Sequence, residues 1–243
     1  MFELAPITMT GHVVITDLDT KEVLVDTFND VLFGNMSTAL AHALIGDSSN
    51  FLFYVGFGNG GAYVNTTGTI GYRTSIGGAG SLVKNPNANL YNTIFVKKLS
   101  NDSTSSAAYD PSSRAYIASS NAATNYEDIT VEVTLGYNEP PTASSNSSTL
   151  SQTAIDNSTF IGSTGTVGQT NTELVFNEIA LYAGSATALT GNSTLTTADV
   201  INFTQSQDKL MLTHAIYHPV QKSANRQLGI VYTLRIQMGT ITA

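Results

Sequence analysis

The chain has 243 residues, of which 12% are charged, and its formal net charge at pH 7 is −8. Its 10 Lys and Arg residues are too few to neutralise a phosphate backbone, so no nucleic-acid partner is expected. Cysteine is absent, which excludes disulfides, thiolate metal ligands and a cysteine nucleophile. A chain of this length can bury one large core without cross-links, and we predict a single domain over residues 1–243.

The N-terminal sequence MFELAPITMTGHV has no basic segment followed by an apolar run, and so does not resemble a secretion signal. No apolar stretch approaches the length that crosses a membrane. We therefore expect a protein that is made in the cytoplasm and has no membrane partner.

The first predicted elements are a β-hairpin and a helix. Residues 11–17 and 22–27 are rich in β-branched side chains, and a turn-forming run at 18–21 connects them. The run 35–45 is predicted to be a helix because Ala and Leu dominate it. Asn35 or Ser37 would cap its start, and Gly46 stands where a C-terminal cap belongs. The predicted apolar face of the helix consists of Met36, Leu40, Ala43 and Leu44.

A glycine-rich loop, GFGNGG at 56–61, follows a predicted strand at 51–55 and spells the G-x-G-x-x-G pattern of dinucleotide-binding loops. Such a site needs a helix directly after the loop and an acid about 20 residues later. The residues that follow are poor helix formers, and no Asp or Glu lies between Gly61 and Asp102. We predict a turn between strands and no cofactor. The structural candidates in this loop are Gly58, Asn59 and Gly60.

The middle of the chain alternates predicted strands with long loops. Strands are predicted at 69–72, 91–97, 114–118, 129–137 and 172–182. The strand at 129–137 alternates cleanly between apolar and polar side chains, whereas in the strand at 172–182 the alternation slips at Asn177 and Glu178, which indicates a β-bulge. Ser/Thr/Asn-rich excursions are predicted at 142–170 and 184–207.

The C-terminal segment has the clearest period of two, since apolar side chains alternate with polar or small ones over 228–238. The run 210–217 is also strand-like, and Pro219 is expected to end it. We predict that these two strands form a hairpin with a long loop at the centre of the sheet. The predicted fold class is mainly β: an antiparallel β-sandwich or jelly-roll-like domain with one short helix and long Ser/Thr/Asn-rich loops.

Candidate chemistry is sparse. His214 and His218 lie four residues apart on a predicted strand, about 13 Å, which is too far for two ligands of one metal ion. Glu178 falls inside an apolar strand, where a carboxylate needs a solvent-facing bulge or a cationic partner such as Arg226 or Arg235. Structural pairing is favoured over catalysis, and we expect neither an enzyme nor a metal site.

Several short motifs occur together in one order: GHVVITD with EVLVD, FGNMSTALAHAL, FGNGGAYVNTTGTIGY, FNEIALY, and MLTHAIYHPVQKSANRQLGIVYTLRIQM. In this order they resemble the virion structural proteins of T4-like tailed phages that infect marine cyanobacteria. The resemblance spans most of the chain. The FNEIALY strand with the terminal strands is also similar to the C-termini of tail-fibre and baseplate-associated phage proteins.

This resemblance implies a non-enzymatic virion component that is present in many copies, with other virion proteins and copies of itself as partners. It carries no catalytic residue over to this chain. The leading hypothesis is a homo-oligomer of the tail or baseplate, in which the loops at 56–61, 142–170 and 184–207 supply subunit contacts. The alternatives are a capsid decoration protein on the head surface and a carbohydrate- or receptor-binding module. The 11 Tyr residues could stack on a host-surface glycan, but tryptophan is absent.

Overall fold

A computed structural model of the chain describes residues 7–47, 51–77, 82–99, 115–123, 126–137, 173–184, 209–223 and 225–238. The described residues form 12 strands and one helix. The strands are β1 (Ile7–Asp17), β2 (Val23–Val31), β3 (Phe51–Gly58), β4 (Ala62–Val64), β5 (Ile70–Tyr72), β6 (Thr93–Lys98), β7 (Ala115–Ala123), β8 (Tyr126–Leu135), β9 (Glu173–Gly184), β10 (Lys209–Met211), β11 (Thr213–Ser223) and β12 (Leu228–Met238), and the helix is α1 (Phe33–Leu44).

Ten of the strands join in one curled antiparallel sheet. Its order is β6-β3-β9-β11-β2-β1-β12-β8-β7, with β10 beside β9, while β4 and β5 form a separate hairpin. The prediction of a mainly β fold with one short helix is confirmed. The ten strands of the main sheet are hydrogen-bonded into one sheet and are not split in two, because β11 pairs with β2 at Thr213 and His214 and with β9 from Ala215 onward.

The core lies inside the curl, where side chains from both arms of the sheet pack together. Val13 and Tyr232 come from the β1–β12 arm, and Phe57 and Ile179 come from the β3–β9 arm. All four are at most 1% exposed, so this shared core holds the two arms against each other.

A buried lysine links the two ends of the curled sheet. Lys97 on β6 is fully buried, and its Nζ donates to the backbone oxygen of Thr134 on β8, 2.7 Å away. Because a buried amino group needs hydrogen-bond acceptors, this contact ties β6, at one end of the sheet, to β8, the last strand but one at the other end.

The alternation of apolar and polar side chains over 228–238 correctly predicts that β12 is a strand with one buried face. β12 lies between β1 and β8, and Leu228, Ile230 and Leu234 on its inward face are at most 2% exposed. The predicted hairpin between the last two strands is wrong, because β1 and β2 lie between β11 and β12 in the sheet. Alternation identifies the buried face of a strand but carries no information about its neighbours.

The predicted strand end at Pro219 is also wrong. β11 continues through Pro219 to Ser223. Its pairing with β9 shifts between Ile216 and Val220, and the proline lies inside that shift. A residue without an N–H is tolerated at such an interruption because no ladder bond is lost there.

The helix begins two residues before its predicted start. Leu32 is the N-cap and makes no side-chain capping bond, so the prediction of Asn35 or Ser37 as cap is wrong. Asn35 is fully buried instead, and its Nδ2 donates to the backbone oxygens of Asn85 and Met211, both 2.9 Å away. This amide therefore fastens α1 to the segment around Asn85 and to β10.

The apolar face of α1 is only partly as predicted. Met36 and Ala39 are buried, while Leu44 is 87% exposed at the end of the helix. Gly46 follows the C-terminus with a φ of 76°, as a left-handed cap requires. Within the described residues, no helix has the length and apolar character needed to span a bilayer.

The remaining predicted strands at 69–72, 91–97, 114–118, 129–137 and 172–182 each overlap a strand of the structure. The excursion predicted at 142–170 lies outside the described residues. The one at 184–207 does so too, except for Gly184, the last residue of β9.

Candidate functional site

The two buried residues with the most chemical potential, Glu178 and His214, meet on adjacent strands. Glu178 lies on β9 and His214 on β11, and both side chains are 0% exposed. Nε2 of His214 lies 3.1 Å from Oε2 of Glu178. His214 is the last residue of β11 that pairs with β2, and Glu178 pairs with Ile216, directly before the register between β9 and β11 shifts.

Main-chain amides surround the carboxylate of Glu178. Oε1 accepts the N–H groups of Gly60 and Asn92, each at 2.9 Å, and Oε2 accepts the N–H of Tyr91 at 3.0 Å. With the imidazole, four donors converge on two oxygens. An ionised carboxylate accepts at both oxygens and donates at neither, so this arrangement fits the carboxylate and not the acid.

The tautomer of His214 follows from its second nitrogen. Nδ1 accepts the backbone N–H of Ile76 at 2.9 Å. A backbone N–H can only donate, so Nδ1 carries a lone pair and the proton resides on Nε2, where it is donated to Glu178. The side chain of Ser75 also donates to the backbone oxygen of His214, at 3.1 Å. The pair is therefore a carboxylate with a neutral imidazole that joins the strands to the segment around Ile76.

The glycine loop at 56–61 closes over this carboxylate. A Cβ on Gly58 would lie 2.4 Å from Oε1 of Glu178, and a Cβ on Gly60 would lie 2.6 Å from the Cβ of Tyr91. Only glycine fits such close approaches. Gly56, Phe57 and Gly58 are the last residues of β3, and only residues 59–61 connect β3 to β4, so the predicted turn is confined to the second half of the motif.

Asparagine amides hold the same loop on its other side. Asn177 accepts the N–H of Gly61 at its Oδ1 (2.8 Å) and donates from Nδ2 to the backbone oxygen of Asn59 (2.9 Å). Nδ2 of Asn92 donates to Oδ1 of Asn59 at 2.5 Å. Residues 56–61 are all buried within the single chain, which leaves little of their surface for the predicted subunit contacts.

Tyr182 lies four residues after Glu178 on β9. It holds residues 89 and 90, directly before Tyr91 and Asn92, whose N–H groups bind the carboxylate. It is fully buried, its hydroxyl donates to Oδ1 of Asn89 at 2.7 Å, and that hydroxyl accepts the N–H of Leu90 at 3.2 Å. Burial raises the pKa of Tyr182 far above its usual value, so its hydroxyl remains a donor at neutral pH.

The predicted bulge at Asn177 and Glu178 coincides with the register shift between β9 and β11. Between Glu178 and Phe176 lies one residue of β9, opposite the three residues between Ile216 and Val220 of β11. The additional residues therefore belong to β11, whereas the break in alternation had predicted the bulge in β9. Phe176 and Ile179 pack in the same core cluster, although strict alternation would place them on opposite faces.

The predicted pairing of Glu178 with an arginine is wrong. Arg226 donates from Nε to Asp17 at 2.5 Å, and Arg235 binds both oxygens of Asp128 at 2.7 and 2.8 Å. The hydrogen bond and charge of Arg235 hold the pKa of Asp128 below its usual value. Arg235 joins β12 to β8, and Arg226 joins the segment before β12 to β1, whereas Glu178 is held by main-chain amides and His214.

His218 is separated from His214 by burial. It is exposed, and its Nδ1 lies 3.1 Å from the hydroxyl of Tyr72, which is 50% exposed on β5. Nearby, the guanidinium of Arg73 lies 5.1 Å from the ring centroid of Tyr91. Among the described residues, no group of three or more His, Asp or Glu side chains could hold a metal ion.

The main-chain donors of Gly60, Ile76, Tyr91 and Asn92 were missed by sequence reasoning. Amide donors leave no trace in side-chain identity, and they come from loops distant in sequence from β9. The adjacent glycines of GFGNGG were the available signal, because glycine marks places where a backbone approaches another group closely.

The arrangement as a whole is suited to fastening loops and not to turnover. Glu178 and His214 are fully buried, and their polar atoms are engaged with the chain itself, so neither presents an acid, base or nucleophile to a solute. No protein-family model, curated protein or solved structure matches this chain.

Proposed function

We propose that the chain is a non-enzymatic structural protein of a phage virion and a subunit of a homo-oligomeric assembly of the tail or baseplate. The single observation that carries the non-enzymatic part is the Glu178–His214 pair, because the best candidate for chemistry is a sealed internal anchor. The resemblance of the ordered motifs to virion proteins supports the particle assignment.

The composition agrees with this role. A surface of Ser, Thr, Asn and Gly with 12% charged residues overall suits packing against other subunits, since charged side chains are depleted at interface cores. The proposed partners are copies of the chain and other virion proteins, with no nucleic acid and no membrane. The protein is made in the host cytoplasm and ends in the particle.

Immunogold labelling of intact particles of the encoding phage, viewed by electron microscopy, tests this assignment. Gold at the tail tip, baseplate or neck supports the proposal. Gold distributed over the head would replace it with the capsid decoration alternative. If no gold is seen but the same antibody detects the chain on a blot of denatured particles, the chain is not exposed on the surface of the intact virion. If the blot is also negative, the virion assignment is refuted.

One surface favours a second candidate, a glycan-binding module. The exposed ring of Tyr72 beside His218 combines a stacking platform with a polar group, as sugar-binding surfaces require. A glycan array with the wild-type chain and Tyr72→Ala tests it, with Tyr137→Ala as the matched control because Tyr137 is 45% exposed elsewhere. Binding that is lost only in Tyr72→Ala supports this function, and the absence of wild-type binding to any glycan contradicts it.

A further inference from the structure

A short segment after β5 is fastened to the buried His214. We call residues 73–77 the strap. The backbone N–H of Ile76 donates to Nδ1 of His214 at 2.9 Å, and the hydroxyl of Ser75 donates to the backbone oxygen of His214 at 3.1 Å. The side chain of Ile76 packs against the buried cluster that contains Leu32. The strap therefore joins the start of β11 to the residue that caps α1.

Two further hydrogen bonds hold the strap, and neither changes in acid. The N–H of Arg73 donates to the backbone oxygen of Gly61 at 2.8 Å, and the hydroxyl of Tyr91 donates to the backbone oxygen of Thr74 at 2.7 Å. Amide and hydroxyl donors keep their protons at any pH below neutrality, and so does the hydroxyl of Ser75. Of these four hydrogen bonds, only the one from Ile76 requires an acceptor that acid can remove.

A second proton on His214 removes that acceptor. The imidazolium ion carries an N–H at both ring nitrogens, so the N–H of Ile76 would face another donor 2.9 Å away. Since neither nitrogen then has a lone pair, no rotation of the ring restores the bond. The contact of Nε2 with Glu178 is kept, because Nε2 donates to the carboxylate in both protonation states. Proton uptake by His214 therefore breaks its bond to the strap and not its bond to β9.

The charges around His214 favour this outcome. Among the described residues, the titratable groups beside it are Glu178 on β9, Asp30 opposite it on β2, Tyr91 before β6, Arg73 on the strap and Tyr217 on β11. The two tyrosines are neutral in acid. The two carboxylates favour the imidazolium ion, whereas the guanidinium of Arg73, 5.1 Å from the ring centroid of Tyr91, opposes it. The carboxylate of Glu178 is in direct contact with the imidazole, so its effect is the larger one.

We propose that the strap is an acid-sensitive element, closed while His214 is neutral and released from β11 when His214 takes up a second proton and stays bound to Glu178. Histidine is the side chain whose ordinary change of charge falls between about pH 5 and pH 8. Release withdraws Ile76 from the cluster around Leu32, while the loops that donate to Glu178 remain in place. The inference does not depend on the virion assignment, because every contact lies within the chain.

Nuclear magnetic resonance of the ¹⁵N-labelled full chain tests the proposal. At neutral pH the ring nitrogens of His214 should show a protonated Nε2 and an unprotonated Nδ1. As pH is lowered, Nδ1 should become protonated, and over the same range the protection factor of the Ile76 amide against hydrogen exchange should fall at least tenfold. The amides of Gly60 and of the centre of β12 should keep their protection. If Nδ1 stays unprotonated until the chain unfolds, if Ile76 remains protected after Nδ1 is protonated, or if Gly60 loses protection together with Ile76, the proposal is overturned.

Two variants identify the group that senses the proton. His218 is a competing sensor, because its Nδ1 lies 3.1 Å from the hydroxyl of Tyr72, directly before the strap. His218→Asn is the matched control and should retain the acid-induced loss of protection at Ile76. In His214→Asn the side-chain oxygen can replace Nδ1 as acceptor and does not titrate, so the protection of Ile76 should no longer depend on pH. Loss of the response in His218→Asn, or a response equal to that of wild type in a folded His214→Asn, contradicts the proposal; if His214→Asn does not fold, the wild-type spectra and His218→Asn decide the matter.

Discussion

The substitution Glu178→Gln tests whether the buried carboxylate holds the surrounding loops. Glutamine has nearly the same shape, so the core is neither emptied nor overfilled. One of its terminal atoms is an NH₂ group, however, and that group must face two of the four donors that now converge on the carboxylate. His214 cannot relieve this conflict by changing tautomer, because its Nδ1 already accepts the N–H of Ile76.

The magnitude follows from the number of donors left without an acceptor. Each buried donor without a partner costs about 1–3 kcal/mol, so two such donors give about 2–6 kcal/mol. The variant no longer buries a charge, which offsets part of this loss. We expect the free energy of unfolding to fall by about 3–4 kcal/mol, which corresponds to a decrease in Tm of about 10 °C for a domain of this size.

Urea-induced unfolding with linear extrapolation measures this difference. Glu22→Gln is the matched control, because Glu22 is exposed in the turn before β2, and its free energy of unfolding should stay within about 0.5 kcal/mol of wild type. If Glu178→Gln is also within about 1 kcal/mol of wild type, the carboxylate does not hold the loops and the reasoning is wrong. Hydrogen exchange at Gly60, Tyr91 and Asn92 should accelerate in Glu178→Gln and not in Glu22→Gln.

Three further predictions concern the backbone and the titrating groups. Gly58→Ala should lower the free energy of unfolding by about 2–3 kcal/mol, because its Cβ would lie 2.4 Å from a carboxylate oxygen of Glu178. Gly68 is the control, because it has a φ of 80° and no neighbour within 4 Å of an added Cβ. Gly68→Ala should lower the free energy of unfolding by only about 1 kcal/mol in the same urea assay. The backbone N–H of Thr20 and the side chain of Arg226 hold the pKa of Asp17 below 3.8, so the ionised carboxylate stabilises the fold above pH 3.8 and this stabilisation is lost as pH falls through the pKa in the folded state. Thermal melts of Asp17→Asn should therefore show a smaller decrease in Tm on acidification than wild type. An equal decrease would contradict this prediction. Burial lowers the pKa of Lys209 from 10.5 to about 8, so between these two pH values the unfolded state binds more protons than the folded state. The contribution of Lys209 to the free energy of unfolding should therefore rise from pH 8 to pH 10.5. Lys209→Met should lack that rise in denaturant titrations, and a rise equal to that of wild type would refute the prediction.

Local patterns predicted the strands whose environment is uniform along their length. β12 and β8 lie in the interior of the sheet with one buried face, so the alternation of apolar side chains at 228–238 and 129–137 marks them directly. The β1–β2 hairpin was predicted because its short turn forces the two strands to be neighbours.

Patterns failed where the environment changes along an element. β11 pairs first with β2 and then with β9 and contains Pro219, so its sequence looks like two broken pieces although it is one strand. Asn35 was predicted to cap the helix because Asn is favoured at N-cap positions. In the structure its side-chain amide is fully buried and hydrogen-bonds to the backbone of two other segments, and the sequence pattern does not show these partners.

The sequence by itself determined that this chain forms a mainly β protein with one helix, that a turn between strands lies within GFGNGG, and which faces of β8 and β12 are buried. These features depend on residues close together in the chain. Only the tertiary structure decided that β1 and β2 separate the last two strands and that Glu178 binds main-chain amides and His214 instead of an arginine. Both outcomes depend on contacts between segments more than 30 residues apart, such as that of Gly60 with Glu178, 118 residues away, and side-chain identity does not record where a backbone amide will be placed.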